Sequence, residues 1–208
     1  MPVTEIAVLV LQDPYTNDSP ETVKRMKPIF ERMSAIAKNE TFRAYREVES
    51  PKAIYVFAEW SSIDAHNQAW APDEGKAVIA DVMAFTQPSA MIHINGPMSA
   101  LPLDAPLVTI GRWPTTKEKK KEFEEFAGAM APLVAKHAAP YGTAGGWRLD
   151  PDETQGVKGE ECIQVTGWPS EEAHQGFKAS SDWTDSAKET YATFTDGEVK
   201  HLHRIALV

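Results

Sequence analysis

The sequence has little cysteine and no long apolar run. One cysteine, Cys162, occurs in 208 residues, which excludes an internal disulfide and favours a reducing, cytoplasmic compartment. Cys162 stands beside Ile163 in an apolar run, which is more typical of a packed thiol than of a nucleophile. The first apolar run, 6–11, is too short for a signal peptide or a membrane span. We therefore expect no membrane partner.

The sequence also lacks an excess of positive charge. It contains 21 Lys and Arg against 30 Asp and Glu, a net charge of −9. An acidic chain without a basic stripe argues against nucleic acid and anionic membranes as partners. A phosphate-binding glycine loop is also missing, because Gly142, Gly145 and Gly146 precede a predicted strand and not a helix. These absences say nothing about a small neutral or aromatic ligand.

One seven-residue stretch occurs twice. Residues 60–66 and 168–174 share the pattern Trp-x-Ser-x-x-Ala-His, 108 residues apart. The same spacing relates His93 to His201, so four of the six histidines form two matched pairs. The chain is therefore predicted to contain two copies of one unit, at 1–98 and 106–208. They are joined by a linker at 99–105, within the stretch 95–106 that contains three prolines and a glycine.

The hydrophobic pattern and the turn residues of each copy predict the element order βαββαβ. In copy one, strands are expected at 6–11, 42–48, 53–60 and 90–94, with helices at 19–37 and at 61–85, the latter interrupted near Pro72. In copy two, strands are expected at 107–113, 143–149, 161–168 and 199–207, with one helix capped by Thr115 or Thr116 and another at 170–194. The loop 150–159 is polar and rich in turn residues. The predicted fold class is α+β, with two tandem ferredoxin-like units.

Two such units, each with the repeated motif between its third strand and second helix, resemble the dimeric α/β-barrel superfamily. Within it they look most like the antibiotic-biosynthesis-monooxygenase (ABM) type of domain. The resemblance implies antiparallel sheets packed as a pseudo-dimeric barrel within one chain, with a small-molecule pocket in each unit; a further homodimer stays open. Haem-degrading members have an Asn on the first strand and a His in the second helix. Here the first strands carry no Asn, and Val78 and Ser186 stand where that His would be, so haem degradation is not expected.

Four histidines are the catalytic candidates. His93 and His201 fall within predicted strands among aliphatic neighbours, where an imidazole is costly unless it is hydrogen-bonded, so they are the first choice for a general base. His66 and His174, in the first turn of a helix beside an acidic residue, are the second choice. A purely structural role stays an alternative for both pairs. His201 and His203 could present two imidazoles to a metal, but no carboxylate or cysteine joins them in sequence, so no metal site is predicted.

Aromatic residues and two arginines are the substrate-binding candidates. Arg46 and Arg148 follow aromatic residues in both copies and could hold a substrate carboxylate, although a surface or inter-unit ion pair is the simpler role. The full candidate set is Tyr45, Arg46, Trp70, Trp113, Trp147, Arg148 and Trp183. At the repeat spacing of 108 residues, Trp70 corresponds to Lys178 and Gly75 corresponds to Trp183. The two pockets are therefore not expected to be equivalent.

The resemblance implies an enzyme of secondary metabolism that uses neither a metal nor a dissociable organic cofactor. The expected reaction is monooxygenation of an electron-rich aromatic or polyketide-like substrate, in which a base forms the carbanion that reduces oxygen. An oxygen-independent cyclase, dehydratase or isomerase would need the same base and is the first alternative. The second is a non-catalytic binding or stress-associated barrel whose histidines are structural.

Overall fold

The computed structural model describes residues 1–37, 42–150, 159–183, 187, 190 and 197–207. Contacts divide the chain into two compact units. Unit 1 is Met1–Met98 with Leu202–Val208, and unit 2 is Ser99–His201. The boundaries drawn above from the repeat, 1–98 and 106–208, stay a prediction about the duplicated sequence. No helix in the described ranges combines the length and the apolar character needed to cross a bilayer.

Unit 1 has the predicted βαββαβ order, with its second helix divided in two. Its elements are β1 (Val3–Leu11), α1 (Pro20–Ile36), β2 (Arg43–Glu47), β3 (Ala53–Trp60), α2 (Ile63–Trp70), α3 (Asp73–Met83) and β4 (Thr86–Asn95). The strands lie antiparallel in the order β4-β1-β3-β2, the arrangement of a ferredoxin-like unit. The end of the last strand of the chain, from Leu202 to Ile205, pairs with β2. The break between α2 and α3 at Pro72 confirms the predicted interruption.

Unit 2 repeats this order. Its elements are β5 (Leu107–Thr115), α4 (Lys120–His137), β6 (Thr143–Trp147), β7 (Glu160–Trp168), α5 (Glu171–Ala179) and β8 (Glu198–Ile205). The strand order β8-β5-β7-β6 matches that of unit 1. The residues of β8 up to His201 belong to unit 2, and those from Leu202 onward belong to unit 1. The fold class of two tandem ferredoxin-like units is therefore confirmed.

Two helix boundaries in unit 2 differ from those predicted. Neither Thr115 nor Thr116 caps α4: Thr115 still pairs with Glu160 as the last residue of β5, and the helix starts after Lys119 without a side-chain cap. The strand pairing extends β5 beyond the apolar run from which its end was predicted. The helix expected at 170–194 ends at Ala179 as α5. The remainder of that prediction falls largely on residues 184–196, and the predicted loop on 151–158, most of which lie outside the described residues.

The repeated motif is a corner between a strand and a helix in both units. Trp60 ends β3, and the hydroxyl of Ser62 accepts a hydrogen bond from the backbone N–H of Ala65 at 3.1 Å. Trp168 ends β7, and Ser170 caps α5 in the same way through Ala173 at 3.2 Å. A serine in this position satisfies one of the free N–H groups at a helix start, which fixes where each helix leaves its strand.

Alternation along β1 places Glu5 on the face that the helices of unit 1 cover. Side chains two residues apart on a strand share a face, and Val3, Ala7 and Leu9 pack with α1 and α3 in one apolar core. Glu5 stands between Val3 and Ala7 on this face and is only 5% exposed. A carboxylate in such surroundings is costly unless polar groups compensate it, so its partners decide what it does.

Candidate active site

Glu5 is the centre of a polar cluster in unit 1. Its Oε2 accepts a hydrogen bond from the indole Nε1–H of Trp60 at 2.6 Å. The same oxygen lies 3.1 Å from Nε2 of His66 and 3.9 Å from Nε2 of His93. The antiparallel pairing of β1 with β4 puts Glu5 directly opposite His93, and the Ser62-capped corner brings His66 to it from the first turn of α2. Three elements distant in sequence thus meet at one carboxylate.

The cluster is largely shielded from water. The His93 side chain is 3% exposed and that of His66 is 12% exposed. The two imidazole rings pack at 5.1 Å between centroids, and Trp60 covers His66 at the same distance. In such surroundings the attraction between a carboxylate and a protonated imidazole is weakly screened. The Glu5–His66 pair can therefore accept a proton from a bound molecule and hold it.

A cavity of about 70 Å³ adjoins this pair. Glu5 and His66 contribute its polar wall, while His93 is not part of the lining. Trp70 and four methionines form much of the apolar wall: Met26, Met33, Met83 and Met91. Methionine side chains adapt their shape easily, so this wall can adjust to a ligand larger than the empty cavity. The cavity thus combines an adaptable apolar surface with a proton acceptor.

In unit 2 the carboxylate is replaced by a hydroxyl. Val3 pairs with Trp60 and Leu107 with Trp168, so Thr109 occupies the place that Glu5 has in unit 1. Trp168 accordingly donates its Nε1–H to Oγ1 of Thr109 at 2.9 Å. The two histidines contact each other directly, with Nε2 of His201 2.9 Å from Nδ1 of His174. A hydrogen bond between two imidazoles requires one nitrogen to accept, so at least one of these rings is neutral while it lasts.

The cavity of unit 2 is larger, at about 190 Å³. His174 and His201 both line it, with Lys178 and Gln164 as further polar residues and Trp113, Trp168, Phe177 and Trp183 as aromatic walls. No carboxylate is among its described lining residues. Trp113 fits because Gly111 has no side chain: a Cβ there would lie 2.5 Å from the indole Nε1. Unit 2 therefore offers aromatic surface and imidazoles without the charge that Glu5 supplies.

The predicted site residues fall into two groups. Those that line a cavity are His66 and Trp70 in unit 1, and Trp113, His174, Trp183 and His201 in unit 2. His93 contacts Glu5 without lining the cavity, and Tyr45, Arg46, Trp147 and Arg148 line neither one.

Contacts outside the two cavities explain why Tyr45, Arg46, Trp147 and Arg148 line neither of them. Tyr45 is fully buried against Phe57, and Trp147 donates to Glu124 at 2.8 Å. Arg46 stands on β2 opposite His203. Arg148 is buried with its Nη1 3.1 Å from Glu161, so its ion pair is internal to unit 2 and not at the surface.

Glu5 was not among the candidate site residues predicted from the sequence. The acidic residue expected beside His66 was its sequence neighbour Asp64, which is exposed. The available signal was a carboxylate at the edge of an apolar run, since Glu5 directly precedes 6–11. Trp60 and Trp168 do pack in the cores, but each also donates its N–H to the residue that distinguishes the two units.

Glu5, His66 and His93 could also hold a metal ion, since their ligand atoms all lie within 4.8 Å of one another. Neither His201 nor His203 belongs to a group of three candidate ligands in the described part of the chain. A haem iron finds no ligand at Val78, whose apolar side chain is fully buried. The matching Ser186 lies outside the described residues.

Solved structures share this fold over nearly the whole chain. A candidate monooxygenase from Fusobacterium nucleatum subsp. nucleatum matches with a TM-score of 0.64 at 9% identity, over 98% of this chain and 92% of that one. An anthrone oxidase-like protein matches with a TM-score of 0.64 at 15% identity, over 98% and 91%. A haem-binding protein from Thermus thermophilus matches with a TM-score of 0.57 at 9% identity, over 99% and 92%.

The chain thus shares with these proteins a fold of two ferredoxin-like units in tandem. No protein-family model matches the sequence, and no curated protein matches it. Identities this low show the fold alone, and the neighbours themselves differ in what they are named for. The activity must therefore be argued from the two cavities.

Proposed function

We propose that this protein is a cofactor-independent monooxygenase of an electron-rich aromatic or polyketide-like substrate, with the reaction in unit 1. The observation that carries the proposal is the Glu5–His66 pair, 3.1 Å apart in the wall of an apolar cavity. Proteins named as a candidate monooxygenase and as anthrone oxidase-like have the same fold, which is supporting analogy. The single cysteine suits the cytoplasm, where we propose that the enzyme acts.

The chemistry assigned to the chain is proton removal. An anthrone carries an acidic CH₂ group, and its carbanion gives one electron to O₂. The resulting radical and superoxide combine into a peroxide anion, which takes back the proton held by the base, and the hydroperoxide so formed loses water to leave a ketone. The balance is R₂CH₂ + O₂ → R₂C=O + H₂O, so no external reductant is needed. The protein has to take the first proton, hold the ring plane and exclude water from the carbanion.

Unit 1 contains residues suited to these tasks. His66 is the proposed base, and Glu5 stabilises the imidazolium that forms when the proton arrives. His93 packs on His66 and faces the same carboxylate, so we assign it to positioning. Trp70 and the methionine wall would contact the substrate ring. In unit 2 a neutral hydroxyl, Thr109, takes the place of the carboxylate, so this position cannot supply the negative charge that stabilises an imidazolium in unit 1.

Oxygen consumption with an anthrone substrate tests the proposal. The wild-type protein is expected to consume one O₂ per quinone formed, and Glu5→Gln should lower kcat about a hundredfold or more, the usual contribution of a positioned acid–base group. Thr109→Val, the matched change in unit 2, should leave kcat within about threefold. Product formation without oxygen would point instead to a cyclase, dehydratase or isomerase that uses the same base. Equal activity in Glu5→Gln and wild type would overturn the proposal.

A ligand screen separates these enzymes from a non-catalytic protein. Planar phenols and anthrones are expected to raise the melting temperature of the wild-type protein, because ligands that bind only the folded state stabilise it. Absence of stabilisation by every such compound would favour the binding or stress-associated alternative with another ligand. The same screen on Glu5→Gln shows whether substrate still binds when the base has been weakened.

A further inference from the structure

We propose that Glu5, His66 and His93 form a binding site for a zinc-like divalent cation. Oε2 of Glu5 lies 3.1 Å and 3.9 Å from the Nε2 atoms of the two histidines, and all three side chains place a ligand atom within 4.8 Å of the others. Zinc binds imidazole nitrogen and carboxylate oxygen at about 2.0–2.2 Å in a tetrahedron, which separates neighbouring ligand atoms by roughly 3.4 Å. The observed spacings bracket this value, so small side-chain shifts suffice to close the shell.

The number and type of ligands match an open zinc site. Two imidazoles and one carboxylate are three protein ligands, which leaves the fourth position for water or another small ligand. Glu5 and His66 line the cavity, so that position can be reached from it. Trp60 donates to the carboxylate of Glu5 at 2.6 Å and would fix its orientation as an outer partner.

Burial and chemistry favour a transition-metal dication over other ions. Glu5 is 5% exposed and His93 is 2% exposed, and a cation offsets the cost of keeping a carboxylate charged in such a place. Calcium and magnesium prefer six or more oxygen ligands, which this cluster does not offer. Imidazole nitrogen instead suits zinc, nickel and copper.

Unit 2 provides an internal control. Thr109 takes the place of Glu5, and His174 and His201 use ring nitrogens to contact each other at 2.9 Å. A threonine hydroxyl is a poor substitute for a charged ligand, so the matched position should not bind the ion at comparable affinity. The structure thus assigns one metal site to each chain, in unit 1.

Metal binding would compete with the proposed reaction. The ion takes the lone pairs of His66 and Glu5 that accept the substrate proton, because histidine and carboxylate bind metals in their deprotonated forms. Zinc should therefore inhibit the oxygenation. This consequence rests on the proposed function, whereas the binding itself does not.

Zinc titration of the chelator-treated protein tests the site. Calorimetry and elemental analysis should find one Zn²⁺ per chain for the wild type and for His201→Ala. Glu5→Gln and His93→Ala should each weaken binding at least about a hundredfold, since each loses a direct ligand. Circular dichroism checks that each variant is folded. If Glu5→Gln does not fold, His66→Gln replaces it as the variant that lacks one ligand, with the same expected loss of zinc affinity.

Cobalt gives a second readout that does not depend on catalysis. Co²⁺ bound to three protein ligands and water should produce visible absorption bands, and excess Zn²⁺ should remove them. The site is disproved if the wild type binds no Zn²⁺, if Glu5→Gln binds as the wild type does, or if His201→Ala loses the ion. Stoichiometric binding without inhibition of oxygen uptake would leave the site in place and contradict only the link to the proposed base.

Discussion

The indole nitrogen of Trp60 donates its hydrogen to the buried carboxylate of Glu5 at 2.6 Å. The equivalent tryptophan of unit 2, Trp168, donates to the neutral hydroxyl of Thr109 at 2.9 Å. The same residue in the same corner thus supports a charged partner in one unit and an uncharged partner in the other. Hydrogen bonds to charged groups contribute more to stability than neutral ones do, so this difference can be measured.

Phenylalanine at these two positions separates the hydrogen bonds from the packing. Trp60→Phe and Trp168→Phe remove the same indole volume, but only the first leaves a buried carboxylate short of a donor. We expect Trp60→Phe to lower the free energy of unfolding by about 1–2 kcal/mol more than Trp168→Phe. Urea denaturation followed by circular dichroism gives both values. Equal losses would mean that Glu5 does not depend on this bond.

The paired histidines predict where the activity lies. His66 faces the carboxylate of Glu5, whereas His174 contacts His201 and has the hydroxyl of Thr109 at the position that matches Glu5. His66→Ala should lower kcat for oxygen uptake about a hundredfold or more, and His174→Ala should leave it within about threefold. Steady-state kinetics with the same anthrone substrate decide this. The reverse pattern would move the reaction to unit 2.

Gly75, in the first turn of α3, allows this helix to approach the end of α2 closely. A Cβ at this position would lie 2.7 Å from both the carbonyl oxygen of Ala69 and the Cα of Trp70, which are backbone atoms and cannot give way easily. Gly75→Ala should therefore destabilise the protein by about 1–3 kcal/mol. Gly128, inside α4, would meet nothing within 4 Å. Gly128→Ala should instead stabilise it by about 0.5–1 kcal/mol, and chemical denaturation of both variants compares the two.

Cys162 should react slowly with thiol reagents. Burial, followed by the negative charge of Glu124, raises the pKa of its thiol to about 12. At pH 8 the thiolate is then rarer by roughly a thousandfold than for a thiol of pKa near 9. Labelling with a chromogenic disulfide reagent should be slow for the folded protein and fast in urea. Rapid labelling of the native protein would show that the thiol is accessible and not packed.

The interactions of the Asp182 carboxylate should make the folded protein less stable in acid. Hydrogen bonds from His137 at 2.7 Å and Lys136 at 3.0 Å hold the pKa of this carboxyl below its usual range. A folded-state pKa below the unfolded value stabilises the protein above the unfolded pKa, near 4, and this contribution disappears as pH falls through the folded one. Asp182→Asn should thus lower the melting temperature at pH 5.5, and this difference should shrink as the pH falls below about 4. A pH-independent difference would exclude titration as the cause.

Local patterns were sufficient for most of the architecture. The motif repeated at 60–66 and 168–174, placed between a strand and a helix, predicted two units and the corners that define them. Such signals depend on residues close together in sequence, which is why they could be found. The start of α4 was predicted wrongly because pairing with β7 carries β5 on to Thr115, and no local pattern reveals a distant pairing.

The sequence by itself determined the duplicated βαββαβ order and supplied the four histidines, in two matched pairs. It could not show which group each histidine meets, because the decisive contacts join residues far apart in the chain. Only the tertiary structure placed Glu5 opposite His93 and beside Trp60, through the antiparallel pairing of β1 with β4 and β3. The same register put Thr109 at the matching place in unit 2. Strand pairing, and not local sequence, therefore decided which of the two units has a carboxylate beside its pair of matched histidines.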